Sequence, residues 1–429
     1  MAIYAVVIGA GLSGLAAALT LQRSGFTRIT VLEKRSGHTR DNYILLNHLG
    51  TCRLRQLGVY EAWNHLFDRR LANCEEAITR GELIEQLVQQ LKETGRLAAD
   101  APDDYVSFCF DNSVSAIVTA CEGAGVPVDS RTGLVDDFEQ LTPEMMSELQ
   151  QRAVGVKNVK IKELEHALAY VCRARGIEIV YNCGDVTLRP SSTRDAIVHV
   201  KTSKGVAIDT PSLVVVCEGA QRTIAKQQLR LREVRSSASL WFVMFELQHY
   251  YGPRAFTVIN VRDKTYPSTR LRHALIGNFQ SKQHSLCSFQ LPRQFMGDLD
   301  DDDDGHVLRQ YCLDHLRTLT AMHGLPDPPP DSIGRIWTPF ECRETYLENA
   351  VYGNNTLVIG DAARSGTFLS GTGYNFALVN DMTAVEVMAK HILAGEASSE
   401  ATATLMAQLD DAIRRTSRFF CESNLEKYY

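Results

Sequence analysis

Residues 3–33 read IYAVVIGAGLSGLAAALTLQRSGFTRITVLE, and this stretch decides the fold. Ile3 to Ile8 is β-branched and alternates little, as a strand buried on both faces does, and Leu12 to Arg23 then places helix formers at helical spacing. Thr30 to Glu33 supplies a second strand, so strand, glycine turn, helix and strand make one βαβ unit. Gly9, Gly11 and Gly14 stand as G-x-G-x-x-G at the turn. The first permits its tight geometry, the second lets backbone approach a diphosphate, and the third lets helix and strand pack closely. Leu12 and Ser13 lie where the helix starts, and its free N–H groups and positive dipole end face the phosphates. Glu33, nineteen positions after Gly14, ends the second strand, where a carboxylate accepts hydrogen bonds from ribose hydroxyls and disfavours a 2′-phosphate. The pattern serves NAD and FAD equally.

Working outward, 429 residues with 45% hydrophobic and 22% charged content bury a large core, in one big domain or two interleaved ones. A net charge of −6 offers no global attraction to nucleic acid or to an acidic membrane surface, so a small-molecule partner is the expectation. The 11 cysteines are scattered from Cys52 to Cys421 without paired spacing, which argues against a disulfide framework and a zinc cage and fits a reducing cytoplasm. The apolar opening lacks a basic leader and is broken by glycines, and no other apolar run approaches the ~20 residues needed to span a bilayer. Oligomeric state is not legible.

Thr79 with Glu82 forms a capping box ahead of Leu83, Ile84, Leu87, Val88 and Leu91, an amphipathic helix inside a long segment without cofactor signals. Ile161 to Cys172 reads as a helix with Leu164, Leu168 and Val171 on one face, followed by the strand Ile177 to Tyr181. Ile197 to Val200 and Val206 to Ile208 flank a turn and predict a hairpin, and Leu213 to Cys217 a short buried strand. Leu240 to Leu247, Phe256 to Val261 and Leu286 to Leu291 predict a separate sheet, assigned to substrate, with Trp241, Phe242, Met244 and Phe289 as candidate contacts. The acidic run Asp300 to Asp304 and the proline-rich Asp327 to Pro330 read as solvated loops, not metal sites, since a calcium loop needs alternating ligands around a glycine turn. His38, His48 and His273 have no partner in sequence that singles them out as a base.

Two later segments bear on the choice of cofactor. After Leu213 to Cys217 comes Glu218-Gly219-Ala220-Gln221-Arg222-Thr223; after the strand Thr356 to Ile359 comes Gly360-Asp361-Ala362-Ala363, then Gly371-Thr372-Gly373-Tyr374-Asn375 and a long apolar helix. The first resembles the Asp-Gly element of class A flavin monooxygenases, with Glu218 in place of the usual aspartate. The second closely resembles that family's second flavin fingerprint, whose aspartate binds the ribityl chain and whose glycine turn faces the isoalloxazine. N–H groups at such a helix start stabilise negative charge on the reduced flavin's N1–C2=O edge. Arg364 stands where the family often has histidine, and Thr367-Phe368 where a proline is usual. Glu33-Lys34-Arg35 with Thr39-Arg40-Asp41-Asn42 is similar to a segment of MICAL-type monooxygenases whose matching Arg and Asn touch FAD. Arg40 has the bidentate fork that suits a pyrophosphate. Lys162 stands where a family arginine often contacts the cofactor.

The resemblance implies an α/β fold in which a Rossmann-like FAD-binding domain of glutathione-reductase type is interleaved with a β-sheet substrate domain and followed by C-terminal helices. It divides the chain into 1–64, 158–225 and 335–395 for FAD, a mostly helical 65–157, a substrate domain 226–334 with a mixed sheet and a helical 396–429. It implies FAD as cofactor, NAD(P)H as reductant and O2 as co-substrate, with oxygen passed through a C4a-hydroperoxyflavin to an aromatic or polyketide-like metabolite. No catalytic triad is expected, because the cofactor carries the difficult chemistry. The alternatives are an FAD-dependent dehydrogenase, oxidase or cyclase that needs no external NAD(P)H, and a non-catalytic flavin-binding interaction protein. A halogenase is disfavoured because Trp63, Trp241 and Trp337 stand apart, and the MICAL similarity carries no actin-binding segment with it.

Overall fold

The computed structural model describes residues 3–40, 43–66, 122–129, 134–135, 155–193, 195–248, 257–262, 270–277, 285–299, 306–322, 327–368, 373–395 and 399–428, with the isolated residues 119, 142 and 145. At its centre five parallel strands lie side by side in the order Thr356–Val358, Leu213–Val216, Tyr4–Ile8, Arg28–Leu32 and Glu178–Val180. A short antiparallel strand, Val351–Tyr352, closes the first edge. The register is continuous: Val6 stands opposite Val214 on one side and Thr30 on the other, and Val214 opposite Thr356.

The β-branched run at the start of the chain is buried on both faces because both faces are covered. Ala5 and Val7 pack with the helices Leu12–Arg23, Ile161–Ala174 and Met382–Ala394; Tyr4, Val6 and Ile8 pack with Leu188, Val200 and Ile208 of a three-stranded antiparallel sheet. Alternate residues of a strand face opposite ways, so one short segment anchors two cores. Ala16, Ala17 and Ala18 are fully buried, and their small side chains let the first helix lie close to its neighbours. The expected hairpin is the pair Ile197–Thr202 and Ala207–Asp209, and the second strand ends at Leu32, leaving Glu33 just beyond it.

A second, antiparallel sheet runs Thr257–Arg262, Arg270–Gly277, Ser285–Leu291, Leu240–Leu247 and Ile333–Ile336, with Phe340–Cys342 also paired to Leu240–Leu247. The strand Arg270–Gly277 and the helices Arg293–Leu299 and His306–Met322 were not expected from the sequence. Val243, Phe245, Leu247 and Phe289 pack against Leu308, Cys312, Leu313 and Leu316 of the helix His306–Met322. Phe242 and Met244, offset by one along the strand, point the other way.

The chain closes with the helix Ser399–Tyr428. Among the described residues no helix is long and apolar enough to cross a membrane, and no group of three or more metal-binding side chains forms. The helix expected at Leu83 to Leu91, the acidic run Asp300 to Asp304 and the site candidates Asn42, Gly371 and Thr372 lie outside the described residues.

Candidate functional site

Three neighbouring parallel strands end on the same edge of the sheet, so the loops that follow them converge there, the usual place for a ligand in an open parallel sheet. A cavity of about 250 Å³ opens at this point. Its walls are Gly11, Leu12 and Ser13 from the first loop, Cys217 and Gly219 from the second, and Ile359, Asp361 and residues 364–368 from the third. Gly373, Tyr374 and Ala377 of the following helix, Arg40, Ile44 and Ile161 at the side, and Phe420 of the C-terminal helix complete it.

The three glycines of the first turn do different work. Gly9 has φ of +106° and a Cβ there would collide with the Cys217 carbonyl; a Cβ on Gly14 would overlap the Gly9 carbonyl. Both positions therefore exclude any side chain for reasons of packing. Gly11 lines the cavity, and its Cβ would meet only Glu165 Oε1 at 3.7 Å. No side chain caps the helix Leu12–Arg23, so its first N–H groups stay available at the cavity wall.

Glu33 is buried and accepts from the Ala10 N–H at 2.7 Å, the Arg35 N–H at 2.8 Å and Arg35 Nε at 2.9 Å. Burial pushes its carboxyl up, but the hydrogen bonds from Arg35 and Ala10 outweigh this and hold it below the usual carboxylate value. Arg35 thus fixes Glu33, and neither of the two lines the cavity, whereas Arg40 does. Lys34 pairs with Asp185 at the surface, away from the site. Lys162 is exposed; its backbone N–H donates to the Arg40 carbonyl at 3.1 Å.

Of the second loop only Gly219, at φ of +86°, joins Cys217 on the wall. The Glu218 carboxylate turns to the π-helical segment Ile224–Gln228 and accepts from the Ile224 and Ala225 N–H groups at 2.7 and 2.8 Å. Arg222 is fully buried with φ of +53° and does not offer a donor to the cavity. Nε donates to the Ala362 carbonyl, Nη1 to Glu233 Oε2 and Thr345 Oγ1, and Nη2 to the Thr345 carbonyl and Ser365 Oγ. All five of its N–H groups are thereby engaged, and the residue is a tie behind the third loop.

In that third loop Gly360 has φ of +63° and donates its N–H to Asp381 Oδ2 at 2.8 Å. Asp361 stands exposed on the cavity wall. Asp381 also receives Arg364 through Nη1 at 2.8 Å and Nη2 at 3.2 Å, with both side chains buried. Helix begins at Gly373–Phe376, widens into a π-helical turn at Ala377–Asp381 and continues as Met382–Ala394. Such turns often mark functional sites, and Ala377 in this one lines the cavity. The Tyr374 hydroxyl is buried without a hydrogen-bond partner among the described residues, and burial keeps it a neutral phenol. Asn375 points elsewhere: its Oδ1 accepts the Asn47 N–H at 3.0 Å.

Several residues matter that the sequence did not single out. Asp381 is one, an acid set among Leu378, Val379 and Met382 in the helical stretch after the glycine turn. Glu344 is another: fully buried, it accepts from the Thr367 N–H at 2.6 Å and Asn424 Nδ2 at 3.0 Å, and burial raises its carboxyl to about 7. Glu165 and His38, 3.3 Å apart beneath Gly11, leave both carboxylate oxygens and Nδ1 buried without hydrogen bonds. Of the proposed substrate contacts, Phe242 packs edge-on to Phe368 with centroids 5.1 Å apart, and Phe340 lies 5.6 Å from Phe368, which lines the cavity. Trp241 and Phe289 belong to the helix-covered face of the sheet, so the alternation of the strand carries them away from the site.

An open parallel sheet with a glycine turn, an uncapped helix start and a cavity at its carboxyl edge defines a dinucleotide-binding α/β protein. The family model for FAD dependent oxidoreductase, DAO, matches residues 5–375, and the chain belongs to that family. None of the curated proteins compared with it matches. A solved structure of p-nitrophenol 4-monooxygenase PnpA from Pseudomonas putida DLL-E4 is similar over 99% of this chain and 88% of that one, at 14% identity and a TM-score of 0.59. PqsL, a probable FAD-dependent monooxygenase from Pseudomonas aeruginosa, is similar over 97% of this chain and 94% of its own, at 14% identity and a TM-score of 0.57. A flavoprotein/dehydrogenase from Cytophaga hutchinsonii is similar over 99% and 87%, at 14% identity and a TM-score of 0.56. At these identities the likeness is one of fold.

Proposed function

We propose that this chain is an FAD-dependent monooxygenase that uses NAD(P)H and O2 to hydroxylate or epoxidise a small aromatic or polyketide-like metabolite. The observation that carries the reading is the convergence of residues 11–13, of Cys217 and Gly219, and of Ile359, Asp361, residues 364–368, Gly373 and Tyr374 on one cavity. The buried, unpartnered Tyr374 hydroxyl and the room left by Gly11 fit a bound cofactor, since unsatisfied buried polar groups are costly without one. When bound, FAD supplies the two-electron chemistry and the activation of oxygen.

The chain's own residues hold and shield. The N–H groups of Leu12 and Ser13 and the Arg40 guanidinium receive the diphosphate, Glu33 the ribose hydroxyls, and Asp361 the ribityl chain. Gly373 and Tyr374, on the cavity wall, would hold the ring. Phe368, backed by Phe242 and Phe340, excludes water and presents an apolar, aromatic surface to a flat substrate. The place of Arg40 on the wall supports a cofactor role for the segment similar to MICAL-type enzymes, without actin as substrate. The described cysteines are all unpaired, which suits a reducing compartment.

Two solved neighbours bear names of monooxygenases, which agrees with this reading, and one is a flavoprotein/dehydrogenase, which keeps a second in view. Thr367-Phe368 in place of the usual proline favours that second reading, a dehydrogenase or oxidase acting without external NAD(P)H. The deciding experiment records the visible spectrum of the purified protein, then follows NADPH and NADH oxidation with and without air and with labelled O2. Label in the product sustains the monooxygenase; substrate conversion without either nicotinamide sinks it in favour of the dehydrogenase.

A further inference from the structure

We propose that Arg364 makes this site hold the reduced cofactor more tightly than the oxidised one, through the buried guanidinium it brings to the cavity wall. The inference rests on the flavin reading and deepens it.

Arg364 is 3% exposed and lines the cavity. Both terminal nitrogens of its guanidinium engage the Asp381 carboxylate, which also receives the Gly360 N–H. Asp381 itself does not line the cavity. The pair therefore presents its positive end to the cofactor space and keeps its negative end in the helix behind. Nε is buried and has no hydrogen-bond partner among the described residues. The guanidinium lies 5.9 Å from the Phe376 ring centroid, and that ring packs on Phe420, another wall residue. A buried N–H left unsatisfied is costly, and the cost is removed when an acceptor arrives.

Two-electron reduction of FAD with uptake of one proton, FAD + 2e− + H+ → FADH−, adds one negative charge to the ring. A hydride from NAD(P)H, leaving NAD(P)+, supplies both electrons and the proton. The positive end of this ion pair, nearer the cavity in a partly dry wall, attracts that added charge more strongly than it would in water, and the Asp381 carboxylate behind it offsets part of the attraction. The oxidised ring carries no such charge, so the interaction is differential and raises the midpoint potential. A tenfold preference corresponds to about 30 mV for a two-electron couple.

The test uses the full-length holoprotein and measures the midpoint potential by slow enzymatic reduction against a reference dye, with the Kd for oxidised FAD followed by quenching of flavin fluorescence. The double variant Arg364→Gln with Asp381→Asn removes the charge without stranding the buried carboxylate. It is expected to lower the potential by about 30 mV, a tenfold loss of preference, with little change in the Kd for oxidised FAD. Arg364→Lys keeps the charge while losing Nε–H and the two-pronged grip, and is expected to fall between the two; it also carries the test should the double variant not fold. A potential that stays at the wild-type value in whichever of these variants retains FAD overturns the proposal while leaving the flavin reading intact. Wild-type protein that neither carries nor takes up FAD overturns both.

Discussion

The parallel sheet and the antiparallel sheet differ in how their residues are constrained. At the edge of the first, backbone meets backbone: Gly9 against Cys217, Gly14 against Gly9. In the second, side chains decide everything, with Val243, Phe245 and Phe289 under one helix and Phe242 toward the cavity. Close backbone approach tolerates one residue type only and so leaves a mark in the sequence. Side-chain packing tolerates many and leaves only an alternation, whose phase depends on which elements cover it.

The sharpest way to break this comparison is at the glycines. Gly14→Ala is expected to abolish folding or FAD retention, a cost of about 4 kcal/mol or more, seen in the yield of soluble yellow protein and in thermal unfolding. Gly11→Ala, whose Cβ has room, is expected to fold normally and to weaken FAD binding; an equal loss of stability in both variants refutes the division of labour.

On the other sheet, Phe289→Ala is expected to cost about 3–5 kcal/mol in chemical denaturation while leaving KM for substrate near wild type. Phe368→Ala is expected to raise KM with a smaller loss of stability. The reverse pattern would show that the two faces of the strand have been exchanged.

Glu344 ties the regions together, since it grips the Thr367 N–H of the cavity loop and lies beside the sheet strand that ends at Cys342. Its carboxyl, raised to about 7 by burial, holds its proton in the folded state where the unfolded chain has released it. This contribution to stability is complete below the usual carboxylate value near 4.3 and is lost as pH rises from there through 7. Wild-type protein is expected to lose on the order of 3 kcal/mol from this group across that window. Glu344→Gln removes this part of the pH dependence, and unfolding curves that keep the same slope with pH in both proteins would contradict it. The smallest effect belongs to Lys34→Ala, which breaks an exposed pair with Asp185 and is expected to leave FAD affinity and Tm unchanged.

Much of the site was legible because its parts are local. Gly9, Gly11 and Gly14, and Gly360 with Asp361, shape the candidate site through neighbouring residues, so spacing reveals them. Arg222 stands in the segment that resembles the Asp-Gly element, while its partners in the structure, Thr345 and Ser365, are far along the chain. Glu218 stands in the place of that element's aspartate, yet its carboxylate accepts the N–H groups of Ile224 and Ala225, six and seven residues on. The Glu344 and Asn424 contact joins residues that no local pattern links. Trp241 and Phe242 show the same limit within a strand: the alternation was plain, but its phase was fixed by the helix His306–Met322.

The neighbour relation of Tyr4–Ile8, Leu213–Val216 and Thr356–Val358 has a consequence for how the molecule is made. A ribosome adding about 5–20 residues each second needs roughly 20 to 70 seconds to travel from the first of these strands to the last. Throughout that interval the opening strand, apolar on both sides, has emerged without the companions that complete its sheet. A nascent chain built this way completes its central sheet, and with it the edge on which the cavity opens, only once Thr356–Val358 has been made.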